Sequence, residues 1–166
     1  MIGFETIGNA NITFFDNSVP VLTTDPWLDG NPYFGSWVHK YSIPKEQKNN
    51  IIKSKYVWYS HGHPDHLDEA SFKYFKNSTF LIPDHYGDRI FNHVKKNFKC
   101  IKLKSNEWFQ VSKNIKLKCF SDWNQDATLL VDILSKDIIL NQNDGKSLGW
   151  SGAIKKIVKN YKNRFL

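Results

Sequence analysis

Tyr59-Ser60-His61-Gly62-His63-Pro64-Asp65-His66-Leu67 is the stretch of this chain that says most about its fold. Three of the six histidines of the chain fall within it, directly after a predicted strand at residues 55–60. Imidazole and carboxylate groups together are ligands that suit zinc, iron or manganese. The stretch therefore predicts a loop that binds one or two divalent transition metal ions, with zinc as the first choice and iron or manganese as alternatives.

The spacing within this loop predicts how its ligands divide between two ions. Alternation along an extended segment places His61 and His63 on the same side, and Gly62 allows a tight backbone turn between them. The following proline redirects the chain, so that Asp65 and His66 point at an adjacent position. Two ions about 3.5–4 Å apart at such positions share and activate one hydroxide.

The size and composition of the chain predict one globular domain that spans residues 1–166. A chain of 166 residues, 40% of them hydrophobic and 15% aromatic, is able to bury a sizeable core. No run reaches the ~18 apolar residues that a membrane-spanning helix needs. The first five residues lack the basic start and apolar run of a signal peptide. We therefore expect a cytoplasmic protein without a membrane segment.

The charge and cysteine content narrow the class of partner. The net charge of +7 comes from lysines spread along the chain, which is typical of a solvated surface. A basic surface favours an anionic small-molecule substrate, with nucleic acid as a less favoured alternative.

Cys100 and Cys119 are too few for a disulfide framework and lack the spacing of a zinc knuckle, so we expect reduced thiols.

Hydrophobic patterning predicts a sheet-rich α/β layer protein. Strands come first, a β-loop-α-β-α passage follows the opening strands, and further strands precede a closing helix. Asp84 is predicted to cap the second helix. The predicted strands are residues 2–8, 11–15, 20–24, 55–60, 80–83, 98–103, 107–111, 114–120, 128–134 and 137–141, and the predicted helices are 67–76, 86–96 and 153–162.

These motifs resemble the metallo-β-lactamase-fold hydrolase superfamily. The loop resembles its His-x-His-x-Asp-His signature, and residues 24–30 resemble the Thr-Asp-Pro-Trp-Leu segment of one branch. That branch holds the lactonase-like proteins and the catalytic domain of CMP-N-acetylneuraminate hydroxylase. Residues 83–87 and 124–130 resemble the hydroxylase-type proteins. The resemblance covers roughly residues 5–150 and implies an αββα sandwich that is short in its C-terminal half.

The resemblance also implies a ligand set at the edge between two sheets. His61 and His63 would hold the first metal, and Asp65 and His66 would hold the second. Asp144, in Asn-Asp-Gly at a predicted strand end, would bridge the two metals. A turn former before a glycine is the alternative interpretation of this aspartate.

Three positions depart from the pattern of the superfamily. Asp122 stands where the third ligand of the first metal is usually a histidine, with Asp126 as an alternative, and a carboxylate there shifts the preference towards iron or manganese. Asn9 replaces a frequent histidine and is able to hydrogen-bond near the site. No histidine follows His93, so the last ligand of the second metal is missing. A truncated sequence, a second copy or a partner chain would account for this gap.

The leading hypothesis from the resemblance is a metal-dependent hydrolase. A metal-bound hydroxide would attack an ester, lactone, amide or phosphodiester, with a sugar or nucleotide-sugar derivative as the favoured substrate. Asp65 would orient the hydroxide, and His85 would contact the substrate or donate a proton. The alternatives are a nucleic-acid-processing phosphodiesterase and a non-catalytic metal-binding remnant. The chain has no Cys-x-His pair for an iron-sulfur Rieske centre, so oxygenation would need a separate redox partner.

Overall fold

A computed structural model describes residues 1–147 and 149–165 of the chain. These residues form two β-sheets, and helical segments cover the outer face of each sheet. The first sheet holds, in spatial order, β1 (Gly3–Gly8), β2 (Asn11–Asp16), β3 (Val19–Thr24), β4 (Tyr56–Trp58), β5 (Thr79–Pro83) and β6 (Cys100–Leu103). The second sheet holds β7 (Trp108–Gln110), β8 (Ile115–Ser121), β9 (Ala127–Ile133), β10 (Asp137–Asn141) and β11 (Asn163–Phe165). The helices are α1 (Lys45–Lys53), a 3-10 helix (Glu69–Tyr74), α2 (Arg89–Val94) and α3 (Ser151–Val158).

The parallel strands of the first sheet are buried on both faces. The sheet is antiparallel from β1 to β3 and parallel from β3 to β6. Phe80, Leu81 and Ile82 of β5 all have no exposed surface. Leu81 packs into the core between the sheets, whereas Phe80 and Ile82 pack towards the outer helices. This alternation explains why β5 is a continuous apolar run rather than a half-polar strand.

Three apolar cores separate four layers of secondary structure. The central core joins Trp58 and Leu81 of the first sheet to Leu129 of the second. One outer core lies between the first sheet and its helices. The other joins Leu130, on the opposite face of β9, to Ile154 of α3. The layer order is therefore α, β, β, α, which confirms the predicted fold class.

The helices depart most from the sequence prediction. The predicted helix at 86–96 is reduced to α2, and residues 67–76 contain only a 3-10 helix. The capping role predicted for Asp84 is wrong, because its carboxylate accepts hydrogen bonds from the Ser105 and Ser121 hydroxyls. Neither α1 nor β11 was predicted. The sequence of α1 is rich in lysine and asparagine and fully buries only Ile51, so it has no clear apolar face. Within the described residues, no helix has the length and apolar character needed to cross a membrane.

The parallel arrangement brings the ends of several strands to one edge of the sandwich. Asp25 follows β3, Ser60 follows β4 after one residue, and His85 follows β5. The Asp25 N–H donates to the Trp58 carbonyl at 2.8 Å, which ties the first two of these segments together. Asp122 after β8 and Asp144 after β10 are the candidates from the second sheet. The carboxyl ends of parallel strands are the usual place for a functional site in an open α/β sheet.

Phe80 gives a test of this packing. Its ring packs against those of Phe72, at 5.2 Å, and Phe98, at 4.8 Å. Phe80→Ala would leave a cavity at the outer core, so we expect the free energy of unfolding to fall by about 3–5 kcal/mol. Urea denaturation followed by circular dichroism measures this change. Phe34→Ala is the control, because the Phe34 side chain is fully exposed and its loss should cost less than ~0.5 kcal/mol.

Candidate metal centre

The loop after β4 turns back on itself and presents its polar side chains at the edge of the first sheet. The His63 carbonyl accepts hydrogen bonds from the His66 and Leu67 N–H groups, at 3.0 and 2.7 Å. His66 is buried, whereas the side chain of His63 is 58% exposed. Gly62 lies in a bend of the chain without entering the left-handed region. A Cβ on Gly62 would be in ordinary van der Waals contact with the side chains of Arg89 and Ile90.

Three donor atoms converge at the first predicted metal position. His61 Nε2 lies 2.7 Å from His63 Nδ1, as expected from their alternation. Each of these nitrogens lies 3.5 Å from Asp144 Oδ2. Among the described residues, this is the group of potential ligands whose donor atoms all lie within 4.8 Å of one another.

Asp144 also approaches the second predicted metal position. Its Oδ2 atom lies 3.8 Å from His66 Nε2, and His66 Nε2 lies 3.5 Å from Asp65 Oδ2. One oxygen of Asp144 therefore stands between the pair His61 and His63 and the pair Asp65 and His66. A ligand that bridges two ions, as predicted for Asp144, would lie between these pairs.

The distances from Asp144 Oδ2 to the two histidine nitrogens fit a tetrahedral divalent ion. Ligand atoms that lie about 2.0–2.1 Å from a tetrahedral zinc ion are separated from each other by roughly 3.3 Å. The 3.5 Å separations from Asp144 Oδ2 to His61 and His63 are close to this value. The donor set of imidazole nitrogens and carboxylate oxygens also has the chemistry that zinc, iron and manganese accept.

A tight turn after β10 holds Asp144 in this place. Asn143 is in the left-handed region with φ 49°, and the Gly145 N–H donates to the Gln142 carbonyl at 3.0 Å. A Cβ on Gly145 would lie 3.0 Å from the Gln142 carbonyl oxygen and from Thr128 Oγ1, so only glycine fits without a shift. Asp144 is thus both a turn residue and a residue of the site, and the two interpretations of it are compatible.

Asp25 organises the loop from behind, and sequence reasoning gave it no role. It is fully buried, and its carboxylate accepts hydrogen bonds from the Ser60 N–H, the Ser60 hydroxyl and the Asn143 amide, each at 2.7 Å. His66 Nδ1 donates to the same carboxylate at 3.1 Å. A buried charge requires such partners. A carboxylate directly after a strand, within the Thr-Asp-Pro-Trp motif, was the available signal.

This hydrogen bonding fixes the tautomers of two histidines. His66 Nδ1 carries a proton towards Asp25, which leaves the lone pair of Nε2 facing Asp65 and Asp144. Since the Ser60 hydroxyl donates to Asp25, it accepts from His61 Nδ1 at 2.9 Å, and the lone pair of His61 Nε2 faces His63 Nδ1, 2.7 Å away. Metal-binding histidines are commonly oriented in this way by a partner on the other ring nitrogen.

The same surroundings shift the pKa values of His61 and His66 in opposite directions. Burial lowers the pKa of His61, and the nearby His66 lowers it further, which favours the neutral imidazole that ligates metals. Burial also lowers the pKa of His66, but the hydrogen bond and negative charge of Asp25 outweigh burial and leave this pKa raised.

Two side chains position Asp65. The Tyr33 hydroxyl donates to Asp65 Oδ1 at 2.7 Å, and the Asn9 amide donates to the Asp65 carbonyl at 2.9 Å. Burial and the hydrogen bond to Asp65 raise the pKa of Tyr33 to about 12, so this hydroxyl remains a donor at neutral pH. With Oδ1 occupied, Oδ2 is the oxygen that faces His66. Tyr33 is a second residue that the sequence did not identify.

The remaining predicted residues lie around the centre rather than within it. Asp122 is outside the converging group, and its Oδ2 accepts from the Lys146 N–H at 3.1 Å. Asp126 Oδ1 lies 3.9 Å from His61 Nδ1, on the ring side opposite to His63. His85 is buried, with Nε2 2.9 Å from the Ser60 carbonyl. This contact favours a role for His85 in holding the loop over proton donation to a substrate.

Two cavities open on either side of the centre. The larger, of about 650 Å³, is lined by Asp65, His66 and Asp144 together with amide and aromatic side chains. The other, of about 580 Å³, is lined by His61 and His63. A ligand can therefore reach the centre from either cavity. The amide and aromatic residues of the larger cavity include Asn9, Tyr33, Trp37, Asn141 and Asn143.

Comparison with known proteins gives distant relatives in sequence. The chain is 25% identical over 163 residues to the cytidine monophosphate-N-acetylneuraminic acid hydroxylase of Asterias rubens, which covers 84% of this chain and 25% of the relative. It is 28% identical over 64 residues to the enzyme of the same name from Danio rerio. The chain thus spans about a quarter or less of the length of these relatives. No protein-family model matches it.

Solved structures are similar over nearly the whole chain. A possible metal-dependent hydrolase from Veillonella parvula matches with a TM-score of 0.70 at 12% identity, covering 98% of this chain and 69% of that one. CmlA, a diiron β-hydroxylase from Streptomyces venezuelae, matches with a TM-score of 0.68 at 11% identity, covering 94% and 32%. Together with the four-layer arrangement, these likenesses confirm the metallo-β-lactamase fold.

Asp25→Asn tests how the centre is organised. An amide cannot accept all four hydrogen bonds that reach this carboxylate, so the tautomers of His61 and His66 would no longer be fixed. We expect the affinity for Zn²⁺ to fall by about 10- to 100-fold, as for other residues that orient metal-binding histidines. Isothermal titration calorimetry measures this affinity.

Asp29→Asn is the matched control, since the Asp29 carboxylate pairs with Lys73 outside the centre. Its affinity for Zn²⁺ should stay within twofold of the unsubstituted protein. Equal affinity in both variants would contradict the role assigned to Asp25, provided that their thermal unfolding shows both to be folded.

Proposed function

We propose that this chain is a metal-dependent hydrolase that cleaves an ester, lactone, amide or phosphodiester bond. The observation that carries the proposal is the position of Asp144 Oδ2, 3.5 Å from His61 Nε2 and His63 Nδ1 and 3.8 Å from His66 Nε2. Such a shared carboxylate oxygen is what two adjacent divalent ions require. We expect zinc, with iron or manganese as alternatives.

The ligands divide into two sets. His61, His63 and Asp144 would hold the first ion, and Asp65, His66 and Asp144 would hold the second. When bound, divalent ions would supply an activated water and stabilise the negative charge that develops on the substrate oxygen. Three protein ligands with an open position are typical of catalytic rather than structural zinc sites. Asp122 and a partner chain remain proposals for any further ligand.

The chain itself supplies the positioning. Asp25 accepts a hydrogen bond from His66 Nδ1 directly, and through the Ser60 hydroxyl it orients His61 Nδ1. Both Nδ1 atoms therefore carry the proton, and both Nε2 atoms are available as ligands. Tyr33 holds one oxygen of Asp65 and leaves the other facing His66. These groups are in place before a substrate arrives, and such preorganisation lowers the cost of reaching the transition state.

The walls of the larger cavity support a sugar or nucleotide-sugar derivative as the substrate. Asn9, Asn141 and Asn143 offer amide donors and acceptors, and the rings of Tyr33 and Trp37 lie 5.0 Å apart on the same cavity. Amides are able to hydrogen-bond hydroxyl groups in both directions, and aromatic rings provide apolar faces for a sugar ring. This combination suits a ligand with many hydroxyl groups.

Metal content and hydrolysis test the proposal together. We expect two ions per chain by inductively coupled plasma mass spectrometry, and hydrolysis of p-nitrophenyl esters or bis(p-nitrophenyl) phosphate. His61→Ala and His63→Ala should each reduce the metal content and lower kcat/KM by at least about 100-fold, because each removes a ligand of the first ion.

His93→Ala is the control, since the exposed His93 side chain pairs with Glu69 and is not among the predicted ligands. It should keep both metal and activity. Absence of bound metal, or unchanged metal and activity in the His61 and His63 variants, would overturn the proposal. One ion without hydrolysis would instead favour a non-catalytic remnant, and two iron ions with oxygen consumption would favour an oxygenase.

A further inference from the structure

We propose that Arg89 forms a subsite that binds an oxyanion, a carboxylate or phosphate group of the substrate, beside the metal centre. The subsite lies in the 580 Å³ cavity on the His61 and His63 side. The inference rests on the proposed function only for the identity of the molecule that carries the anion. The recognition itself depends on the guanidinium and its surroundings.

The use of arginine in this chain is unusual. The chain has 23 basic residues, of which only Arg89 and Arg164 are arginines and the remainder are lysines. Lysine serves as a general surface cation, whereas the planar fork of arginine is suited to bidentate binding of a carboxylate or phosphate. One of the two arginines lines a cavity next to the candidate metal ligands.

The guanidinium of Arg89 lies beside the loop that carries His61 and His63. Arg89 is the first residue of α2, and its Nη2 atom lies 3.7 Å from the point where a Cβ on Gly62 would stand. Gly62 separates His61 from His63 in the chain. A Cβ at Gly62 would make ordinary van der Waals contacts with Arg89 and Ile90, so both side chains lie directly beside the backbone of the loop. The positive charge is thus placed beside two predicted ligands of the first ion.

The neighbouring carboxylates are already paired with other groups. Asp88 binds Lys102 at 2.6 Å, and Glu69 binds His93 at 3.1 Å. Asp126 shares the cavity, but its side chain is only 13% exposed and accepts a hydrogen bond from Asn124 at 2.8 Å. Among the residues that the structure describes, no carboxylate lies within 4.0 Å of the Arg89 guanidinium, and no acceptor takes a hydrogen bond from it. Its donors are therefore free for a ligand.

The rest of the cavity wall suits the group that would carry the anion. Gln125 adds an amide, and the ring of Tyr86 is 88% exposed at the same cavity. An anion bound at Arg89 would place the adjoining part of the molecule next to His61 and His63. Arg89 would thus be a specificity-determining residue that favours anionic substrates over neutral ones and orients them in the centre.

The two arginines allow a direct experiment. In a ¹⁵N-labelled protein the Nε–H groups of Arg89 and Arg164 give two side-chain NMR signals, each assigned by substitution to glutamine. Benzoate and phenyl phosphate are added in separate titrations, to protein with and without Zn²⁺. We expect the Arg89 signal to shift and saturate while the Arg164 signal stays in place. The tighter of the two probes identifies the oxyanion as carboxylate or phosphate.

Variants give the size of the effect. By isothermal titration calorimetry, Arg89→Gln should bind the preferred probe about 10- to 100-fold more weakly, since hydrogen bonds to a charged group are lost. Arg89→Lys keeps the positive charge without the planar guanidinium, so its affinity for the probe should lie between those of the unsubstituted protein and Arg89→Gln. Arg164→Gln is the matched control, because within the described part of the chain the Arg164 side chain donates to the Tyr161 and Lys159 carbonyls and to no other group. An unmoved Arg89 signal, or unchanged affinity in Arg89→Gln, would overturn the subsite.

The same experiment separates this inference from the proposed function. If the Arg89 signal responds to an anion but the chain binds no metal and hydrolyses nothing, the subsite stands and the hydrolase proposal fails. If hydrolysis is observed but neither anion reaches Arg89, the hydrolase proposal stands and the subsite fails.

Discussion

The buried carboxylate of Asp25 is the constraint on which the centre depends. It receives four hydrogen bonds, from the N–H and hydroxyl of Ser60, from His66 and from Asn143. Ser60 and His66 belong to the loop after β4, whereas Asn143 follows β10 of the other sheet. A charge buried to this degree is tolerated only when it is fully paired. The pairing therefore fixes the position of the loop relative to the turn that carries Asp144.

Local signals carried most of what the sequence could predict. The spacing of His61, His63, Asp65 and His66 depends only on a few bonds of backbone, and the structure brings these side chains to one place. Most of the strands were predicted within one or two residues, because alternation along a strand reflects the two cores that it separates. The layer order followed from the order of the strands and helices, together with the resemblance to the superfamily.

Features that depend on distant parts of the chain were the ones that sequence reasoning missed or misplaced. Tyr33 reaches Asp65 from a segment of 20 residues between β3 and α1 that has no regular pattern. Asp122 follows β8, and its Oδ2 accepts a hydrogen bond from the Lys146 N–H of a distant segment, so its role as a ligand stays a prediction. Asp84 precedes a helix, yet it binds Ser105, in the turn after β6, and Ser121 of β8. Propensity and spacing hold no information about such partners.

The division of the predicted ligands between the two sheets has a thermodynamic consequence. The histidines and Asp65 come from the first sheet, whereas Asp144 comes from the second, so an ion bound by both would act as a cross-link across the open edge of the sandwich. Ligand binding to the native state alone stabilises a protein in proportion to the logarithm of the free ligand concentration, by about 2.7 kcal/mol at 100 times Kd. Folding and metal supply would then be linked equilibria, and the folded fraction of the chain would report on the metal available around it.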